Sequence, residues 1–128
     1  MNCRLIRFRG IEESDGKLIF GESKVDIPFE IKRVFLISQV PKRNIIRANH
    51  ASINTDFMLQ VIIGQVEVEL DDGIEKEIFQ LDSLDVGLYV PRMTWMKTSK
   101  FSRNAILQIY SNRSYVDCKY IEEYNKFI

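Results

Sequence analysis

Histidine is the scarcest reactive residue in this sequence, whose 128 residues contain only one, His50. Catalytic transition metals in small β-barrels are usually held by several imidazoles, which the softer divalent metals favour. One histidine cannot supply such a ligand set. We therefore predict that the protein holds no catalytic metal and uses no cofactor, and metal analysis of the purified protein tests this prediction.

Cysteine, glycine and long apolar runs are also sparse. Cys3 and Cys118 are the only cysteines and stand at opposite ends without zinc-knuckle or redox spacing, so we predict reduced thiols. The six glycines are scattered, so no phosphate-binding loop is predicted, and no Gly-x-Ser-x-Gly elbow is present. No run of about 20 apolar residues predicts a membrane span, and the charged N-terminus does not resemble a signal peptide. We expect a soluble, cytoplasmic protein.

Charge of one sign is not in excess, because 18 basic residues balance 18 acidic ones. No global field is therefore expected to attract nucleic acid or a membrane surface. The neighbouring carboxylates Asp71-Asp72 and Glu122-Glu123 are interpreted as solvated charges. Apolar residues make up 45% of the chain, enough for one core, and we predict a single domain over residues 1–128.

What the sequence does contain is a series of short apolar runs separated by turn residues, which is typical of an all-β sandwich or barrel. Asp71-Asp72-Gly73 is a strong hairpin signal. The tail spaces Tyr120, Ile121, Tyr124 and Phe127 as a short amphipathic helix or an extended clasp over the barrel would. The predicted strands cover residues 5–8, 17–21, 31–38, 45–51, 57–63, 66–70, 74–81, 86–90, 94–96 and 105–110.

His50 is the candidate for acid–base chemistry, because an imidazole can take and return a proton near neutral pH. Arg47 and Ser52 are the nearest candidates to polarise or orient a carbonyl, and in an extended segment Ser52 shares the face of His50. The residues alone leave a second interpretation open, in which His50 is only a buried, hydrogen-bonded polar residue.

Three arginines and two aromatic residues are candidate ligand contacts. Arg33, Arg47 and Arg92 could each hold a diphosphate, since a guanidinium matches phosphate oxygens bidentately. Arg33 lies within an apolar run, so we expect either a ligand or an internal salt bridge for it. Tyr89 and Trp95 could stack on a nucleobase or sugar, although packing in the core is the alternative for both.

An ordered set of segments resembles the nucleotide-sugar 3,4-ketoisomerases, the WxcM-like or FdtA-type cupins, over about four fifths of the chain. The segments cover residues 27–35, 40–41, 47–51, 64, 70–73, 81–82, 87–95, 101–102, 111–115 and 120–124. The resemblance implies a cupin-type jelly-roll barrel, usually a homodimer with exchanged N-terminal strands. It also implies metal-free isomerisation of a dTDP-4-keto-6-deoxyhexose to its 3-keto isomer through an enediol. The product usually feeds an aminotransferase that makes amino sugars for surface polysaccharides.

The catalytic motif of the family departs from its usual form here. The family writes it roughly Arg-Gly-x-His-Ala-His-Lys, whereas residues 47–53 read Arg-Ala-Asn-His-Ala-Ser-Ile. The first histidine is His50, and Ser52 replaces the second, which is generally credited as the base. Phe57 stands where the family has Gln, and Asp15 stands where an Arg or Tyr often precedes Gly16.

Three functions therefore remain open at the level of sequence. The first is an isomerase that moves the keto group between C4 and C3, with His50 as proton shuttle assisted by Arg47 and Ser52, and with Arg33, Arg92, Tyr89 and Trp95 as substrate contacts. The second is an epimerase or isomerase on a related keto sugar. The third is a catalytically silent cupin that binds a nucleotide sugar. The particular sugar, nucleotide and pathway are not specified by the sequence.

Overall fold

The structure is a computed structural model that describes residues 1–128 and is almost entirely β. Twelve strands precede one short helix, and all predicted strands are present with ends that shift by a few residues. The elements are β1 (Arg4–Arg7), β2 (Arg9–Glu13), β3 (Gly16–Phe20), β4 (Arg33–Ser38), β5 (Arg47–Ser52), β6 (Phe57–Ile63), β7 (Val66–Asp71), β8 (Lys76–Leu81), β9 (Val86–Val90), β10 (Trp95–Ser99), β11 (Ile106–Ser111), β12 (Tyr120–Ile121) and α1 (Tyr124–Phe127).

Two five-stranded antiparallel sheets form a jelly-roll barrel of the cupin type, as predicted. One sheet has the order β1-β9-β6-β11-β4 and the other the order β12-β5-β10-β7-β8. A separate two-stranded hairpin is formed by β2 and β3, and β2 was not predicted as a strand of its own. No helix of this chain is long and apolar enough to cross a membrane.

The core follows from the alternation of side chains along the strands. In β7, Val66, Val68 and Leu70 are buried while Glu67 and Glu69 are half-buried, which confirms the predicted half-exposed strand. In β6, residues 57–61 are buried on both faces, because the main core lies on one side and a second cluster on the other. This outer cluster joins Phe8, Ile27, Phe29 and Met58 beneath the N-terminal hairpin.

The Asp71-Asp72-Gly73 hairpin is present between β7 and β8, and Gly73 adopts the positive φ of 93° that such turns need. The interpretation of Asp71 as a solvated charge is wrong. Its side chain is buried, and its carboxylate accepts hydrogen bonds from the Gly73 amide and from the Tyr124 hydroxyl. The tail supplies that second donor, so Asp71 connects the hairpin to α1.

The tail forms both structures that its spacing left open. β12 pairs with β5, with Tyr120 opposite Ser52 and Ile121 opposite Ala51. The four-residue helix α1 then lies over Trp95, whose ring meets Tyr124 edge-on at 5.2 Å between ring centroids. The tail therefore adds an edge strand to the sheet that carries His50.

Candidate functional site

A cavity of about 210 Å³ opens inside the barrel next to His50. Its lining is mostly apolar, and the lining residues that carry polar groups are His50, Arg47 and Tyr120. The lining residues come from both sheets and are Phe35, Leu36, Ile37, Arg47, Ala48, His50, Phe57, Met96, Ile109 and Tyr120. A polar ligand group in this cavity would therefore find few partners, all on β5 and β12.

A β-bulge in β5 brings Arg47 and His50 to the same cavity. Residues three apart on a regular strand point to opposite faces. Here His50 pairs with Met96 and Arg47 with Thr98, so three steps on β5 match two steps on β10. Ala48 takes up the extra residue with a φ of +54°, in the left-handed region that glycine favours. The family pattern has glycine at this position, and the bulge gives a physical reason for it.

His50 is held by ring packing. Its imidazole centroid lies 4.0 Å from that of the Tyr120 ring, at an interplanar angle of 44°. Burial lowers the pKa of His50 below its usual value, while its backbone and Glu122 oppose this shift weakly. The imidazole is therefore neutral at pH 7, which is the form that accepts a proton.

Ser52 lies one step further along β5 on the inner face, opposite Tyr120. Its side chain is buried, and its hydroxyl accepts a hydrogen bond of 2.8 Å from the Thr55 amide. Ser52 is not among the residues that line the cavity. The structure therefore places Ser52 at the end of β5, beside the cavity.

Arg33 enters the barrel from β4 on the face of Phe35, as its alternation predicted. The expected alternative of an internal salt bridge is wrong, because no carboxylate lies within 4.0 Å of its guanidinium. Its Nε and Nη2 atoms are buried and have no hydrogen-bond partner. The charge instead lies 4.5 Å from the ring centroid of Phe35 and 5.6 Å from that of Tyr115.

The remaining predicted contacts lie outside this cavity. Arg92 is paired with Asp56, with Nε to Oδ1 at 3.2 Å and Nη2 to Oδ2 at 3.3 Å. Tyr89 faces the outer cluster, where the Arg4 guanidinium lies 5.1 Å from its ring centroid. Trp95 is buried under α1 and donates from Nε1 to Asn49. The structure thus brings His50 and Arg47 to one cavity and places Arg33 beside Tyr120, which also lines it, whereas Arg92, Tyr89 and Trp95 lie elsewhere.

Tyr120 was not predicted to belong to the site. Its spacing to Tyr124 and Phe127 fits a helix and predicted that it belongs to a packing face of the tail. In the structure β12 turns it inward, and burial raises the pKa of Tyr120 to about 12. The Cys118 thiol adds to this rise, and the Arg33 guanidinium opposes it. A lone aromatic residue after a turn carries no sequence signal for this role.

No three His, Cys, Asp or Glu side chains converge in a way that could hold a metal ion. The chemistry that this arrangement permits is acid–base chemistry at a neutral imidazole, with cationic and hydroxyl groups nearby to stabilise negative charge on oxygen.

Comparison with known proteins connects this site to a family. A 3,4-oxoisomerase of TDP-4-oxo-6-deoxy-α-D-glucose from Aneurinibacillus thermoaerophilus is 34% identical over 127 residues, which are 99% of this chain and 91% of that protein. A histidine mutant of the 3,4-ketoisomerase QdtA from Thermoanaerobacterium thermosaccharolyticum, solved with TDP-4-keto-6-deoxyglucose, superposes with a TM-score of 0.92. It is 31% identical and covers 99% of this chain and 91% of its own.

A third relative, the TDP-fucose-3,4-ketoisomerase WlaRA from Campylobacter jejuni, has a TM-score of 0.92 and 33% identity, and covers 99% of this chain and 93% of its own. The whole chain, residues 1–128, also matches the family described as FdtA: WxcM-like, C-terminal. With the fold, the cavity and these likenesses in agreement, the chain belongs to the FdtA family.

Proposed function

We propose that this protein is a nucleotide-sugar 3,4-ketoisomerase that acts on a TDP-linked 4-keto-6-deoxyhexose, with His50 as the group that moves the proton between C3 and C4. The observation that carries the proposal is a single neutral imidazole at a mostly apolar cavity inside the barrel. The relatives above carry their named activities on the same fold.

The reaction is balanced without any external reagent. The His50 imidazole takes the proton from C3, the C3–H electron pair forms the C3=C4 double bond, and the C4 carbonyl π electrons move to its oxygen. Protonation of that oxygen gives the enediol. The C3 hydroxyl then loses its proton as its carbonyl forms, and C4 receives the proton from His50. The product is the 3-keto isomer.

Arg47 is the residue we assign to orient the carbonyl, because the β5 bulge places it on the cavity with His50. Arg33 is assigned to an oxygen of the substrate, since its buried N–H groups are without partners. Ser52 keeps its own O–H free to donate and supports the turn next to the site. Arg92 and Tyr89 stay as predicted substrate contacts outside the cavity, whereas Trp95, which is buried under α1, takes the alternative of packing in the core.

The test is product analysis by NMR after incubation with TDP-4-keto-6-deoxyglucose. We expect a new 3-keto sugar to form with wild-type protein and not with His50→Asn, which keeps a polar group of similar shape. An epimerised 4-keto sugar as the product would support the second candidate, a related epimerase. Binding by calorimetry without any product would contradict the enzymatic proposal and favour a silent binding module.

We expect the protein to work in the cytoplasm as a homodimer, with the product passing to an aminotransferase for surface polysaccharide. Exposed apolar side chains on the N-terminal strands, Leu5, Ile11 and Leu18, support an association of this kind. Light scattering should give twice the mass of one chain, and a monomer at micromolar concentration would contradict the dimer.

A further inference from the structure

A ketone cannot move between neighbouring carbons with one proton transfer alone. One proton passes from C3 to C4, and a second passes from the C3 oxygen to the C4 oxygen. The proposed function assigns the carbon proton to His50, and this chain has no other histidine for the oxygen proton. A second donor and acceptor near His50 is therefore required, and this inference rests on the proposed function.

Tyr120 is held against His50 inside the cavity. The pairing of β12 with β5 puts Tyr120 opposite Ser52, and its ring packs on the imidazole with 4.0 Å between centroids. On its other side the ring is parallel to that of Phe57, within 4° and at 6.5 Å. These contacts hold the Tyr120 ring in place, and the hydroxyl is the only polar group of this side chain.

Arg33 gives an independent indication that oxygen chemistry takes place here. Two of its guanidinium nitrogens are buried without a hydrogen-bond partner, and its charge has no carboxylate. It is close enough to the Tyr120 hydroxyl to oppose the rise in that group's pKa. A buried cation with unused N–H groups suits an oxygen that becomes negative during a reaction.

We propose that Tyr120 is the second catalytic residue of this enzyme, and that its hydroxyl moves the proton between the C3 and C4 oxygens while His50 moves the proton between the carbons. The phenol O–H donates to the C4 oxygen as the C4 carbonyl electrons move onto it. The phenolate so formed takes the proton of the C3 hydroxyl as the C3 carbonyl forms. The tyrosine ends as it began, and no external reagent is consumed.

Arg33 stabilises the phenolate between these two transfers. The phenol begins each cycle protonated, since a pKa of about 12 keeps it neutral at any working pH. Tyr120 lies directly opposite Ser52 on the neighbouring strand, so it stands beside the position where the resembling motif has a second histidine.

Tyr120→Phe tests the proposal, because it keeps the ring packing and removes only the hydroxyl. We expect kcat for 3-keto product to fall about 10²- to 10³-fold with KM changed less than about threefold. The melting temperature should stay near that of the wild type. Tyr124→Phe is the matched control, since its hydroxyl bonds to Asp71 on the outer side of the sheet, and its kcat should be unchanged.

A measurement in D₂O separates a catalytic hydroxyl from a structural one. Tyr120→Phe keeps His50, so recovered substrate should still gain deuterium at C3, and the ratio of this exchange to product formed should rise at least tenfold over wild type. A variant that lost both processes equally, or that formed product within twofold of the wild-type rate, would overturn the assignment. Arg33→Gln should raise the ratio of exchange to product in the same way, and an unchanged ratio in this variant would also contradict the assignment.

The result also distinguishes the two proposals. Wild-type protein that forms no 3-keto sugar overturns both the proposed function and this inference. Wild-type protein that forms it, with an equally fast Tyr120→Phe variant, overturns only the role of Tyr120.

Discussion

At the scale of single residues, the burial of His50 sets the pH at which its imidazole works. Burial disfavours the charged ring, so the pKa of His50 lies below its usual value near 6.5. The neutral base is therefore available at a lower pH than in a free histidine. We predict that kcat/KM rises with pH through a single limb below pH 6.5 and is level from pH 7 to 8. A limb centred above pH 7 would contradict this account.

The lowered pKa of His50 also determines how the stability of the protein depends on pH. The unfolded chain binds a proton at His50 at a higher pH than the folded chain does, so stability rises with pH between the two pKa values. Acidification below pH 6.5 should thus destabilise the wild type more than His50→Gln. Chemical denaturation at pH 5 and pH 7 measures this difference, and equal pH dependence in both proteins would refute it.

Ala48 carries the strain of the bulge that turns Arg47 into the cavity. A φ of +54° destabilises the folded state by about 1–2 kcal/mol for a residue with a Cβ. Glycine is free of this strain, but it stabilises the unfolded chain by about 0.4–1 kcal/mol through its greater conformational entropy. We predict that Ala48→Gly raises the free energy of unfolding by about 0.5 kcal/mol, measured by urea denaturation.

Ala51 in the same strand is the matched control for that change. It is fully buried and has no positive φ, so Ala51→Gly should lower the free energy of unfolding by about 1 kcal/mol. If both variants were destabilised alike, the prediction that the backbone at Ala48 is strained would be wrong.

At the scale of elements, the tail holds the sheet that carries His50. Trp95 is the only tryptophan, is 3% exposed, and is covered by Tyr124 and Phe127 of α1. Deleting residues 124–128 should shift its fluorescence emission to longer wavelength. It should also destabilise the protein by about 1–3 kcal/mol, because buried Asp71 loses the Tyr124 hydroxyl.

Lys126→Ala is the control within the same helix, since this exposed side chain pairs only with exposed Glu123. It should leave both the emission maximum and the stability unchanged. An unchanged emission after the deletion would mean that α1 does not cover Trp95 in solution.

The elements were more predictable from sequence than the side chains of the site. Strands such as β6 and β9 were predicted with the bounds they have, because each apolar run begins after an Asp and ends at a Gly or Pro. Arg47 reaches the cavity through a β-bulge. Tyr120 reaches it through an edge strand that pairs with a distant part of the chain, since Tyr120 contacts His50, 70 positions earlier. Neither feature leaves a periodic signal, and a strict alternation would have turned Arg47 away from the cavity.

At the scale of the whole molecule, one cavity, one imidazole and one buried guanidinium lie inside a barrel whose outer surfaces are covered by the N-terminal hairpin and the tail. Trp95 and Tyr89 are in strands of the two sheets, but Trp95 packs against the tail and Tyr89 against the outer cluster, which explains why aromatic residues near a motif were poor guides to the cavity. The walls of the cavity are mostly apolar, so they limit the contact of the imidazole with water and strengthen its electrostatic contacts with a sugar oxygen.

Deuterium incorporation at C3 and C4 tests the central claim, that His50 transfers a proton to and from a bound keto sugar. Wild-type protein and His50→Gln are incubated with TDP-4-keto-6-deoxyglucose in D₂O and followed by NMR, with circular dichroism to verify that both are folded. We predict deuterium in the sugar with the wild type and a loss of at least a hundredfold with His50→Gln. Equal incorporation by the two folded proteins, or none by the wild type, would contradict the account.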